Sequence, residues 1–198
     1  MPCSVDELRV FALCFITVLA SELGDKTQLA ILALSLRGNK VQVLAGSILA
    51  FSVVNGLSSA LGFLLYKLLP LKALRMAAGA AFVLAGLIGL VRGLRSRPGE
   101  AVEELARPGR SSFVDSLALV GLTELGDKTQ LATVGFSATT GLAFVVALAA
   151  ISALSLMAAA TCLLGSRLAG KIGGFRANLI SYVAFMAVGV VMLLWPSW

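Results

Sequence analysis

The feature that most constrains this chain is a succession of six apolar stretches, at residues 9–36, 41–66, 73–92, 113–138, 142–165 and 178–195, separated by short polar gaps. A bilayer core of about 30 Å requires about 20 apolar residues in helical form. Lipid offers no partner to a backbone N–H or C=O, so each stretch is expected to close its hydrogen bonds internally, as helix. Period-two alternation is absent, which excludes a strand reading. The first and fourth stretches exceed the required length; tilt, or a break at the polar motif they contain, would accommodate the excess. Composition agrees: 59% of the residues are hydrophobic and 13% charged, with a mean hydropathy of +0.96. A soluble domain carries about 25% charged residues. The same numbers exclude disorder.

The net charge of +6 does not indicate a nucleic-acid binder, because the basic residues sit in the gaps rather than on one water-facing patch. The gaps near Arg37, Arg95 and Arg167 carry more Lys and Arg than those near Arg9, Lys67 and Arg75. By the positive-inside rule, the first, third and fifth loops are cytoplasmic and both termini lie outside. Residues 10–20 could pass for the apolar core of a signal peptide. However, Asp6 and Glu7 offset Arg9, and a similar pattern recurs at 113–123, so the segment is read as a retained span. Cys3, Cys14 and Cys162 have no metal-ligand or disulfide spacing, and histidine is absent. Trp195 and Trp198 suit interfacial anchors.

The chain is duplicated. Residues 22–30 and 124–132 share nine identical consecutive positions, Glu-Leu-Gly-Asp-Lys-Thr-Gln-Leu-Ala. Residues 1–92 form a first three-helix repeat, 93–112 a Pro/Gly-punctuated cytoplasmic linker, and 113–198 a second three-helix repeat. Three spans per half is an odd number, so the second half must enter from the opposite side. The expected fold is an all-α membrane protein of six transmembrane helices arranged as two inverted-topology repeats, as in many secondary transporters.

Each motif places carboxylates in mid-span, where a charge costs about 2.5–3.5 kcal/mol on the insertion scale. Glu22, Asp25, Glu124 and Asp127 account for four of only ten acidic residues. Intramembrane ionisable groups are functional by default, so these four are the candidate metal ligands. On a continuous helix, Glu22 and Asp25 share a face, Lys26 lies one turn from Glu22, and Ser21 and Gln28 flank the same arc. Thr27 points elsewhere unless the helix unwinds at Gly24. The second half repeats this pattern with Thr123, Lys128, Thr129 and Gln130. Oxygen donors without His or paired Cys suit hard cations such as Ca²⁺, Mg²⁺ and Mn²⁺. Four carboxylates and two ammonium groups leave a formal charge of −2, which one dication or two protons would neutralise, the arithmetic of an exchanger. The remaining intramembrane polar residues, including Ser58, Ser59, Ser155 and Thr161, read as interhelical glue. Asn55 is the first to test as a secondary ligand. Gly56/Ala60 and Gly89/Gly93 read as close-packing pairs.

At these residues the chain resembles the small cation:proton antiporters that include bacterial manganese exporters and Golgi calcium/manganese transporters. These carry a duplicated Glu-x-Gly-Asp-[Lys/Arg]-[Thr/Ser] signature. The resemblance covers both halves. It implies export of Mn²⁺, with Ca²⁺ as a further substrate, against H⁺ as counter-ion. It also implies metal-site roles for the four carboxylates and supporting roles for Lys26, Thr27, Gln28, Lys128, Thr129 and Gln130. It implies no prosthetic group and an address in the cytoplasmic membrane; a homo-oligomer is compatible with it. Two rival readings stand beside it. An intramembrane aspartyl protease would use Leu23-Gly24-Asp25 and Leu125-Gly126-Asp127, but a lysine adjoins each aspartate and the two motifs are identical. An exporter of an amino acid or other organic solute should offer cationic partners and apolar pockets instead of four carboxylates.

Overall fold

The computed structural model describes residues 3–22, 25–95, 112–168 and 175–194, all in or beside helices. In chain order these are α1 (Cys3–Glu22), α2 (Lys26–Arg37), α3 (Lys40–Leu68), α4 (Leu71–Arg95), α5 (Ser112–Glu124), α6 (Lys128–Thr140), α7 (Ala143–Leu168) and α8 (Phe175–Leu194). Most of the 93–112 linker, together with Trp195 and Trp198, lies outside the described residues. Every expected apolar stretch carries helix, with one correction: 9–36 and 113–138 each hold two helices, not one. Both interruptions fall at the duplicated motif. Among the described residues, Lys40–Leu68, Leu71–Ile88 and Ala143–Leu163 are each long and apolar enough to cross a membrane alone.

The turns follow from local chemistry. Asn39 caps α3, its Oδ1 accepting from the N–H groups of Val41 (2.9 Å) and Gln42 (3.3 Å). Gly141 ends α6 in the left-handed region at φ +73°, where a side chain is strained. A Cβ there would also stand 2.8 Å from the Tyr66 ring.

The packing inverts that of a soluble protein. Leu57, Leu61, Leu84, Leu148, Leu156 and Leu163 are exposed, while Ser21, Glu22, Thr27, Gln28, Asn55, Glu124 and Thr129 are buried. Leucine facing outward is favourable only where the surroundings are apolar. The long helix of each half packs on the broken pair of the other: α3 against α5 and α6, and α7 against α1 and α2. The centre is therefore shared between halves. α4 and α8 pair alongside and reach that centre through α6 and α1, respectively. Their close approach depends on glycine: a Cβ on Gly79 would lie 3.0 Å from the Gly189 carbonyl, and one on Gly86 2.8 Å from that of Tyr182. The close-packing expectation for Gly56 fails, since nothing lies within 4 Å of where its Cβ would be. The small residues that matter are those facing another backbone, which spacing alone does not reveal. The surroundings of Gly89 and Gly93 lie outside the described residues.

Candidate metal centre

The two motifs break their helices in the same way. α1 ends at Glu22 and α2 starts at Lys26; α5 ends at Glu124 and α6 starts at Lys128. Asp25 and Asp127 occupy the N-cap positions with extended backbone, ψ 158° and 169°. Neither uses its side chain to cap the helix it precedes. The turns close through backbone instead, Asp25 N–H to Glu22 O at 3.1 Å and Asp127 N–H to Glu124 O at 3.2 Å. Gly126, at φ +80°, makes the second turn sterically accessible, and its N–H donates to Gln130 Oε1 at 2.7 Å. The N-termini of α2 and α6 thus begin inside the protein, where their partial positive charge favours nearby carboxylates.

Ligand oxygens of Glu22, Asp25 and Asp127 all lie within 4.8 Å of one another. The first two come from one half and the third from the other. Glu124 is fully buried beside them, close enough to interact electrostatically with Glu22, Asp25 and Asp127, but outside that tightest set. Its Oε2 accepts from the Thr129 hydroxyl at 2.8 Å. The Glu22 Oε2 accepts instead from Gln28 Nε2 at 3.2 Å, and Gln28 Oε1 accepts from Thr161 on α7 at 2.7 Å. Thr27 is fully buried and lies toward Glu124, although its hydroxyl makes no hydrogen bond of good geometry among the described residues. Buried oxygens remain unsatisfied there: Glu22 Oε1, Asp25 Oδ2 and Glu124 Oε1 have no hydrogen-bond partner among the described residues. Each such group costs about 1–3 kcal/mol, more when charged. A cation placed among them could satisfy several at once.

Several expectations change once the helices break. Lys128 forms its ion pair across the halves. The helix begins at Lys128, so no i,i+4 relation to Glu124 exists, and its Nζ lies 3.2 Å from Asp25 Oδ1 of the other half. The side chain of Lys26 lies outside the described residues. Thr27 and Thr129 turn inward, as an unwound motif requires. Gln28 reaches the carboxylates, whereas its repeat counterpart Gln130 serves the Gly126 turn. Ser21 donates to the Val18 carbonyl at 2.7 Å. Thr123 donates to the carbonyls of Leu119 and Val120, each at 3.0 Å. Asn55 acts as interhelical glue, its Oδ1 accepting from Thr133 at 2.8 Å and its Nδ2 donating to Phe51 O at 3.1 Å. Two residues escaped the sequence reading. Thr161 reads from the sequence as glue, yet it donates to Gln28 Oε1 and orients that amide. Tyr182 on α8 faces Lys128, its ring centroid 5.8 Å from Nζ. Neither has a spacing signal, because its partner is distant in the chain.

A helical bundle that turns leucine outward and buries carboxylates within is an integral membrane protein with an ionisable interior. The family profile described as "Divalent cation/proton antiporter GDT1" matches residues 10–97 and 112–197, one segment in each half. The chain is 28% identical over 200 residues to "GDT1-like protein 3" of Oryza sativa subsp. japonica, an alignment covering 90% of this chain and 71% of that protein. It is 27% identical over 201 residues to "GDT1-like protein sll0615" of Synechocystis, covering 93% and 96%. It is 32% identical over 135 residues to the Vibrio cholerae protein named "Putative manganese exporter", covering 67% and 64%. No solved structure matches. The chain belongs to the GDT1 family of divalent cation/proton antiporters. It is therefore a transporter, not an enzyme, and the protease reading falls.

Proposed function

We propose that this protein exports Mn²⁺ across the cytoplasmic membrane in exchange for protons, with Ca²⁺ as a second substrate, through a centre formed by Glu22, Asp25, Glu124 and Asp127. The observation that carries the reading is the meeting of Glu22, Asp25 and Asp127 oxygens from two separate halves within 4.8 Å. All-oxygen donors favour hard dications, and the similarity to a protein named for manganese export favours Mn²⁺ among them. Thr27, Gln28 and Thr129 support the carboxylates, the two motif lysines, Lys26 and Lys128, offset their charge, Gln130 braces the Gly126 turn, and Ser21 and Thr123 bond back into the ends of α1 and α5 that carry the glutamates.

In this reading, residues 1–92 and 113–198 are inverted repeats of three spans each, joined by a cytoplasmic linker, with both termini outside. The antiparallel course of α4 against α8 and the cross-packing of α3 and α7 on the opposite broken pairs support it. Rocking of one half against the other would open the centre to each side in turn. Protons reload the carboxylates after the metal leaves and keep the buried site neutral during the return.

The test is flux in proteoliposomes holding a pH-sensitive dye, challenged with Mn²⁺, Ca²⁺ and Mg²⁺ in turn. Metal-dependent proton movement is expected with Mn²⁺ and Ca²⁺, and its loss in E22Q and D127N that still purify as folded protein. Wild-type flux in either variant would overturn the assignment. Inhibition of Mn²⁺ flux by an amino acid would instead favour an organic-solute exporter.

A further inference from the structure

The carboxylate cluster contains a cation of its own. Lys128 Nζ lies 3.2 Å from Asp25 Oδ1, with both side chains largely shielded from solvent. The ammonium also interacts electrostatically with Asp127 and Glu22. These three acids are the same ones whose ligand oxygens gather within 4.8 Å. A dication bound there would draw on the oxygens that the ammonium now neutralises, and the two positive charges would repel at contact distance. We propose that Lys128 is the resident cation of the metal-free centre, a tethered competitor that an incoming dication must displace, and that the ring of Tyr182 receives it.

Three features support displacement over simple structural pairing. The lysine stem is flexible and its ammonium is a compact charge that can move without rebuilding a planar hydrogen-bond fork. A landing place is within reach: the Tyr182 centroid is 5.8 Å from Nζ, inside the range at which an aromatic face attracts a cation. Among the described residues, Glu22 Oε1 and Asp25 Oδ2 have no hydrogen-bond partner, which leaves ligand positions available before the ammonium has moved. The tie also joins the halves, since Lys128 belongs to the second motif and Asp25 to the first. Metal entry then both fills the centre and releases a link across the repeat interface.

The inference rests on the metal-centre reading, and titration of MnCl₂ into the purified full-length protein by calorimetry separates the two. K128M removes the competitor, so Mn²⁺ should bind about tenfold more tightly or better, the scale of a lost charged hydrogen bond. In proteoliposomes K128M should saturate at lower Mn²⁺ with a reduced maximal rate, because release slows. Y182L removes the landing place and should weaken binding several-fold when Lys128 is present, yet change nothing in the K128M background. K128Q provides the uncharged substitution if K128M does not fold. Unchanged or weaker Mn²⁺ binding in the uncharged variant overturns the inference, as does a Y182L effect that persists undiminished without the lysine. If E22Q abolishes binding while K128M weakens it, the centre stands and displacement alone falls. If E22Q binds like wild type, both fall.

Discussion

Thr161→Val tests whether the centre is held in place from outside the duplicated motif. Valine keeps the shape and removes the hydroxyl that donates to Gln28 Oε1 at 2.7 Å. Both residues are buried, Thr161 at 2% and Gln28 at 1% exposure, so the orphaned amide oxygen finds no water. Leaving a buried acceptor unmade costs about 1–3 kcal/mol. At about 2 kcal/mol, a chain of this size should lose about 4–8 °C in Tm. The consequence extends to the carboxylate, because an amide freed on its oxygen side can rotate and no longer present Nε2 to Glu22 Oε2, now at 3.2 Å. When the carboxylate is ionised, as it is on holding a dication, that hydrogen bond contributes about 1.5–3 kcal/mol. The half-saturating Mn²⁺ concentration should therefore shift roughly tenfold or more, since about 1.4 kcal/mol corresponds to a factor of ten. Thermal unfolding in detergent and Mn²⁺ titration of proteoliposome flux read the two effects separately. T161S, which restores the donor, should recover both. A T161V protein with wild-type Tm and wild-type Mn²⁺ dependence would refute the relay from Thr161 through Gln28 to Glu22.

Further outcomes follow from the same geometry. Asn55→Ala removes the acceptor of the Thr133 hydroxyl, which keeps its bond to Thr129 O at 2.9 Å; Tm should fall while Mn²⁺ affinity stays within about twofold, as expected of glue and not of a ligand. Gly141→Ala forces a side chain into the left-handed region and against Tyr66, and should cost about 1–2 kcal/mol from the backbone alone, measured by thermal unfolding. Metal and protons compete for the same oxygens, so lowering the pH should weaken apparent Mn²⁺ affinity, and binding should release protons. Calorimetry in buffers of different ionisation enthalpy measures that release, and a buffer-independent heat would contradict it.

Much of the fold was legible in residue order. Six apolar stretches without alternation pointed to helix, and each carries it; nine identical residues at 22–30 and 124–132 marked a repeated segment, and a helix breaks at both copies. The proposal of Glu22, Asp25, Glu124 and Asp127 as the working acids starts from residue order, because a carboxylate in mid-span is costly, and the structure adds that oxygens of Glu22, Asp25 and Asp127 lie within 4.8 Å of one another. Tertiary structure decided how identical motifs come to differ. An i,i+4 reading pairs Lys128 with Glu124, but the helix restarts at Lys128 and the partner is Asp25. Gln28 and Gln130 stand at matching positions, yet one holds a carboxylate and the other a turn. Thr161 and Tyr182 enter the centre from α7 and α8, elements that carry no copy of the motif. Residue order fixes periodicity and the energetic cost of each side chain in lipid, both local properties. Partnership across the bundle depends on where a helix stops and which neighbour then faces it, and that is settled only when the halves pack.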